Sequence, residues 1–536
     1  MSKAAPSSPL PSQVWLRNCE KETVEPIEGK LTGKLPEWLN GRLTRNGPGR
    51  IEFGDTRINH LFDGTAYIHQ FNIIDGKVTY QSRYLNSDTY KKNKKADRIV
   101  VSEFGTAAYP DPCKTLLQRF MSAFTPISKA EPTDNCLVNV CYFGDQLYAL
   151  TETRNLRRIH PETLDVVGEK VSLVNFLSLS LSLSHIYVCV CVCVCAVHLC
   201  MTISPSDIRS ISRTSTGKKI SSIQQAEIVS AIPCQWKMYP SYYHSFGITE
   251  NYFIFVEQPY VFNLKRFLLN HYMGKPYFSA VEWYPDQKTK FRLVHRKTGE
   301  MVKTVYAANA FLTFHHTNAY EKDGQLVIDL ASMKDGEAVN ALMMKNIENP
   351  DFVSEPATMP THWRFVLPLD VQKAPENTNL ITLEGTKCTA YKRPDQTVEV
   401  HGQSLSSQYF DLQRINYKYN GKEYQYAYGV EVNPKGSIFS RLVKMDVNSG
   451  ETTLWHEEGK VVSEPVFVAA PGAIKEDEGV VLSTLLDMNN TRFVALLVLD
   501  PVTWTEIARV EFEANGTVTS SFHGLFAATN EKIHMY

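Results

Sequence analysis

Apolar and polar residues alternate in short runs along most of this chain, the period-two pattern of half-buried strands, and tight polar turns join the runs. In HQFNIIDGKVTYQSRYL the alternation turns about Asp75-Gly76, a dipeptide suited to a two-residue hairpin turn. YKYNGKEYQYAYG repeats the device at Asn420-Gly421. A looser unit of strand, polar turn and strand recurs near Thr163, Thr298, Ser449 and Thr503, as in LLVLDPVTWTEIARVEF. Helical periodicity is scarce, and TLLQRFMSAF (Thr115 to Phe124) is its best stretch. Recurring hairpins without long helices predict an all-β chain and suit a β-propeller, in which blades of about four strands surround an axial channel. No Pro/Gly/Ser-rich linker follows the first residues, so one β domain over residues 29–536 is expected, after a flexible leader at 1–28.

One stretch breaks the pattern. From Val171 to Ser206 the chain carries no Asp, Glu, Lys or Arg, and much of it is two dipeptide repeats, LSLSLSLS and VCVCVCVC. The length would pass for a membrane span of about 20 residues. Strict alternation with Ser or Cys at every second place, however, gives poor helix propensity. Zinc is disfavoured too, because its usual spacings leave two or more residues between paired thiols. Alternating Leu-Ser is what a CT repeat encodes and alternating Val-Cys what a TG repeat encodes. Lys170-Val171-Ser172 can be written AAG GTA AGT, which resembles an exon end followed by a splice donor. The favoured reading of 171–206 is translated intron, over a membrane span or a genuine low-complexity loop.

Composition narrows the classes. The 536 residues are 43% hydrophobic and 21% charged, with Lys+Arg 56 against Asp+Glu 57, so nothing global calls for nucleic acid. That hydrophobic fraction, with 28 Gly and 27 Pro, excludes disordered and collagen-like chains, and the scattered cysteines outside the repeats exclude a disulfide scaffold. MSKAAPSSPLPSQVWLRNCEKE offers no uninterrupted apolar stretch for a signal peptide, so export is not expected. The sequons at Asn489 and Asn515 accordingly read as surface turns. The Ser-rich leader, with Lys3 and Arg17, leaves a mitochondrial transit peptide open.

There is no Walker loop, GxSxG elbow, HExxH or paired CxxC. Histidines stand instead in aromatic, strand-like settings: His244 in PSYYHSFGITENYFIFVEQP, His315 and His316 in FLTFHHTNAYE, and His523 in SSFHGLF. Singly, each reads as a satisfied core residue. In a propeller the inner strands face one axis, so distant histidines can converge on a metal, and imidazole suits iron, copper and zinc. Carboxylates accepting the other ring N–H are then expected behind them. Glu152 in ALTETRN, Asp411 in QYFDLQRINY and Glu464 in VVSEPVFV sit in apolar strands and are the candidates, each otherwise a turn or edge carboxylate.

At these residues, and in NGRLTRNGPG, NHLFDGTAYIHQF, SEFGTAAYPDPCK, RFVLPL and SEPVFVAAPG, the chain resembles the carotenoid cleavage oxygenases from about Val24 to Phe526. The resemblance implies a seven-bladed β-propeller with a capping dome of loops and short helices over an axial iron(II) site. It implies four histidine ligands supported by three acids, with O2 as co-substrate. His244, His315 and His523 match ligands, while Glu152, Asp411 and Glu464 match the acids. Two departures stand out. Asp411 is one methylene shorter than the usual Glu, which is expected to loosen its hydrogen bond. The stretch reading like TAHPHYD that carries the fourth ligand is absent, and the repeats occupy its place; His185 and His198 lie inside them in no matching motif.

The runs SDTYKKNKKADRIVVSEFGT and GKPYFSAVEWYPDQKTKF look most like vertebrate members that cut a carotenoid at the 9′,10′ double bond, giving an apocarotenal and an ionone-type ketone. A central 15,15′ oxygenase, a retinoid isomerase and a non-catalytic carotenoid-binding propeller are the alternatives. Cys113 in PDPCK and the following TLLQRFMSAF resemble the family's membrane-facing segment, and Lys91 to Lys95 could meet anionic headgroups. The bland counterparts are a buried thiol, a core helix and a solvated basic loop. Peripheral membrane contact without a crossing is expected, in the mitochondrion by resemblance or else the cytosol.

Overall fold

The computed structural model describes residues 11–115, 117–118, 132–172, 229–434 and 438–529. The repeats, His185, His198 and most of Thr115 to Phe124 lie outside the described residues. Val171–Ser172, at the edge of the anomalous stretch, pairs with Asn155 and Leu156.

Strands form where the alternation predicts them. Asp75 and Gly76 both take left-handed φ, 48° and 75°, and join Thr65–Ile74 to Lys77–Tyr84 with Ile74 opposite Lys77. This primed turn matches the right-handed twist of the flanking strands. The units near Ser449 and Thr503 are tight hairpins, closing at Met445 opposite Thr452 and at Asp500 opposite Thr505. Those near Thr163 and Thr298 close through single bridges, Ile159 to Val166 and Val294 to Met301. Asn420-Gly421 is not a two-residue hairpin turn. Asn420 at φ −62°, ψ 127° and Gly421 at φ 78° form a type II turn after the 3-10 helix Tyr417–Tyr419. The Gly421 amide donates to Asn318 Oδ1 at 3.0 Å, so a distant strand fixes this turn.

Among the described residues the strands form six sheets of four or more strands, an all-β architecture of the propeller type. Closure joins the two ends of the chain. Gly41–Arg50 is hydrogen-bonded on one side to Thr65–Ile74 and on the other to His523–Ala528, with Asn46 opposite His523. Lys30–Gly33 adds to Thr505–Glu513.

The expected leader is packed from Pro11 onward. The 3-10 helix Pro11–Leu16 buries Val14 and Trp15, and Thr23–Glu28 pairs with Lys77–Tyr84. The Trp15 ring stacks on Phe522 at 5.3 Å and meets Phe439 edge-on at 5.4 Å, so large apolar rings hold this segment to the core. Among the described residues, the two longest helices stand outside the sheets: Asp88–Ala96, capped by Ser87, and Leu264–Met273, capped by Asn263. Among the described residues no helix is long and apolar enough to cross a membrane.

Candidate metal centre

Three histidines stand at or just before the start of a strand. His244 precedes Gly247–Ile248, His315 precedes His316–Lys322, and His523 opens His523–Ala528. Each strand is an edge strand of its sheet. Edges turned to one axis bring together residues that the sequence keeps hundreds of positions apart. One ring nitrogen of each histidine lies within 4.8 Å of the other two. The ring centroids are 4.8 Å apart for His244 and His315, 5.2 Å for His315 and His523, and 6.0 Å for His244 and His523.

Each Nδ1 meets a carboxylate: His244 to Glu152 at 2.6 Å, His315 to Asp411 at 2.7 Å and His523 to Glu464 at 2.8 Å. A carboxylate accepts, so Nδ1 carries the proton and Nε2 keeps its lone pair, the tautomer a metal ligand needs. His315 Nε2 is buried without a hydrogen-bond partner, which fits a group that a metal would satisfy. The shorter side chain of Asp411 does not loosen its contact. Asp411 lies in the Phe410–Arg414 strand, whereas Glu152 follows the Gln146–Leu150 strand and Glu464 sits between Lys460–Val462 and Val466–Ala469.

The three carboxylates differ in what else holds them. Glu152 accepts from the Tyr242 hydroxyl. Asp411 accepts from the Leu412 amide at 2.8 Å. Glu464 accepts from Arg414, Nε to Oε1 at 2.8 Å and Nη2 to Oε2 at 3.0 Å. Burial works against the Glu464 charge, but Arg414 and His523 outweigh it and hold the carboxyl well below the usual range. Burial likewise opposes the Asp411 charge, and His315 outweighs it, lowering that carboxyl. Burial takes the His523 imidazole down to about 4 in spite of Glu464, so it is neutral at physiological pH. His316 points elsewhere, with Nδ1 2.7 Å from Ser245 Oγ.

Aromatic rings wall the cluster. Phe314 packs edge-on against His244 at 5.4 Å, and Phe62 lies 6.5 Å from Phe314 and 5.7 Å from Phe522. Cys113 is exposed rather than a buried thiol, with Sγ 3.9 Å from the Lys95 carbonyl of the helix that carries the exposed Lys91, Lys92, Lys94 and Lys95. A surface absent from the sequence reading is Leu264–Met273, where Leu268, Leu269, Tyr272 and Met273 are exposed. Arg414 and Tyr242 were also not singled out, because nothing local says which carboxylate an arginine or tyrosine will face.

A family model described as retinal pigment epithelial membrane protein matches residues 16–528. The chain belongs to this family, the carotenoid cleavage oxygenases. It is 38% identical to human beta,beta-carotene 15,15′-dioxygenase over 519 residues, covering 94% of this chain and 93% of that protein. It is also 38% identical to the carotenoid isomerooxygenase of Galleria mellonella over 529 residues, 96% of each chain. Among solved structures, a point mutant of Synechocystis apocarotenoid oxygenase superposes with a TM-score of 0.70 at 20% identity, over 97% of this chain and 99% of that one. The cobalt-substituted form of the same oxygenase gives a TM-score of 0.70 at 21% identity, over the same shares. At such identity the likeness establishes the fold.

Proposed function

We propose that this carotenoid cleavage oxygenase is an iron(II)-dependent dioxygenase that splits a carotenoid double bond with O2. The observation that carries the reading is the convergence of His244, His315 and His523, each with its Nδ1 proton on a buried or partly buried carboxylate, beside an aromatic wall. Iron(II) bound there supplies the one-electron chemistry that ground-state O2 needs to react with a closed-shell polyene. The chain's own part is positional. Glu152, Asp411 and Glu464 fix the imidazole planes, and burial keeps His523 uncharged. Phe62, Phe314 and Phe522 present apolar faces that exclude water and suit a polyene.

The relatives named 15,15′-dioxygenases support a cut at the central double bond. A 9′,10′ cut is the second reading, supported by SDTYKKNKKADRIVVSEFGT and GKPYFSAVEWYPDQKTKF. Residues 171–206 stand where the resemblance places a fourth histidine, and their repeats support a retained intron. Transcripts spliced at Lys170 are expected to encode that histidine; transcripts that run uninterrupted through Lys170 would sink the intron reading. Peripheral contact with a membrane, the source of the substrate, is supported by exposed Leu268, Leu269, Tyr272 and Met273 beside exposed Lys265 and Lys275.

The test is anaerobic iron(II) loading of the full chain, metal analysis, then addition of β-carotene and O2 with chromatography of the products. Near-equimolar iron with retinal is expected for the central cut, or an apocarotenal with an ionone for the eccentric one. A folded chain that takes up carotenoid but neither iron nor O2 would make the protein a binder and end the enzyme reading.

A further inference from the structure

The Phe410–Arg414 strand serves two ligands at once, which a regular strand could not do. Residues 411 and 414 are an odd number apart, so in an unbroken strand their side chains face opposite sides of the sheet. Here both face the metal centre: Asp411 Oδ1 lies 2.7 Å from His315 Nδ1, and the Arg414 guanidinium lies on Glu464, which holds His523. The pairing with Tyr426–Val432 explains the change of parity. Asp411 is opposite Val430 and Arg414 opposite Tyr428, so three steps on one strand face two on the other, a β-bulge. Leu412 takes up the extra residue at φ 54°, a left-handed conformation rare for a leucine. Gly429 makes room from across the ladder, since a Cβ there would come within 2.8 Å of the Asp411 carbonyl oxygen.

Arg414 also fixes the backbone on one side of His523. Its Nη2 donates to the Gly524 carbonyl at 2.7 Å, while the Gly524 amide donates to Glu464 Oε2 at 2.9 Å. On the other side Arg45 donates to the Phe522 carbonyl at 3.3 Å and to the Glu464 carbonyl at 2.9 Å. Glu464 is the one supporting acid in the trio held by a cation's two-point fork, and a fork fixes the carboxylate plane as a single donor cannot.

We propose that Arg414, brought to the axis by the bulge at Leu412, is a positioning residue that sets the angle of the His523 imidazole and so the metal affinity of the site. This rests on the metal-site reading above. The test is anaerobic cobalt(II) titration of the full-length chain, followed by visible absorption, beside thermal unfolding without metal. Arg414→Lys keeps the charge and loses the fork, while Arg414→Gln loses both. Both are expected to weaken cobalt binding about 10-fold or more and to change the shape of the visible bands. Leu412→Gly and Leu412→Ala remove the same buried side chain, but only glycine keeps the left-handed turn without strain, so the glycine variant is expected to bind cobalt more tightly than the alanine one. Parent-like binding by Arg414→Lys, tighter binding by Arg414→Gln, or an alanine variant at least as good as the glycine one would each overturn the proposal. A parent chain that takes up no cobalt would overturn the metal site itself and this inference with it.

Discussion

Asp411, one methylene shorter than its two counterparts, still makes a hydrogen bond of 2.7 Å, because the backbone supplies the reach that the side chain lacks. Restoring the family's usual residue should therefore harm this chain. Asp411→Glu is expected to overshoot His315 and weaken cobalt(II) binding about 10-fold, measured by titration; unchanged or tighter binding would contradict the account of the bulge. His362 offers a second test. It is fully buried, stacked on Phe410 at 5.4 Å, and neither ring nitrogen has a hydrogen-bond partner. Burial lowers it to about 4. The unfolded chain then binds a proton here that the folded chain refuses, between its ordinary value near 6.5 and 4, so stability is lost as pH falls through that window. His362→Leu is expected to change stability little at pH ~7.5 and to gain on the parent by ~1.4 kcal/mol per pH unit below ~6.5, read from denaturant unfolding at several pH values. At this scale the six residues that the structure brings together were already candidates in the sequence, through His in aromatic settings, lone acids in apolar runs and the family resemblance that joined them. Arg414 and Leu412 were illegible. A left-handed leucine has no compositional signature, and an arginine three residues from an acid normally points away from it.

Alternation and Asp-Gly were enough to place the Thr65–Tyr84 hairpin, since that turn is decided by its own two residues. They were not enough at Asn420-Gly421, where Asn318 decides. The leader misled for a different reason: a segment rich in Ser and Pro reads as flexible, yet Trp15 has rings on two sides to pack against. The Leu264–Met273 helix went unnoticed because its apolar residues look like a core stripe, and only the fold reveals that Leu269 and Tyr272 face outward. Replacing both by Glu is expected to reduce co-sedimentation with liposomes containing anionic lipid several-fold while leaving the unfolding temperature near that of the parent. Liposome binding equal to the parent's would remove this helix from the membrane face.

For the whole molecule, what matters is that the ring is closed by the chain's two ends. Asn46 lies opposite His523, and Lys30–Gly33 lies against Thr505–Glu513. A chain cut before His523 loses one of the three clustered histidines and the partner of one edge of Gly41–Arg50 together, so its unfolding, followed by circular dichroism, is expected to be less cooperative than that of the full chain. Recurring hairpins made the all-β class legible, but not the closure, because pairing over so long a stretch of sequence leaves no local trace.

The same closure fixes an order of events during synthesis. A ribosome delivers Glu152 and His244 first, then His315, Asp411 and Glu464, but His523 and its strand emerge almost last. Until then one edge of Gly41–Arg50 waits unpaired, exposed to any other strand nearby. The proposed metal site is complete only after nearly all of the message has been read, so a premature stop anywhere upstream costs the centre as well as the fold.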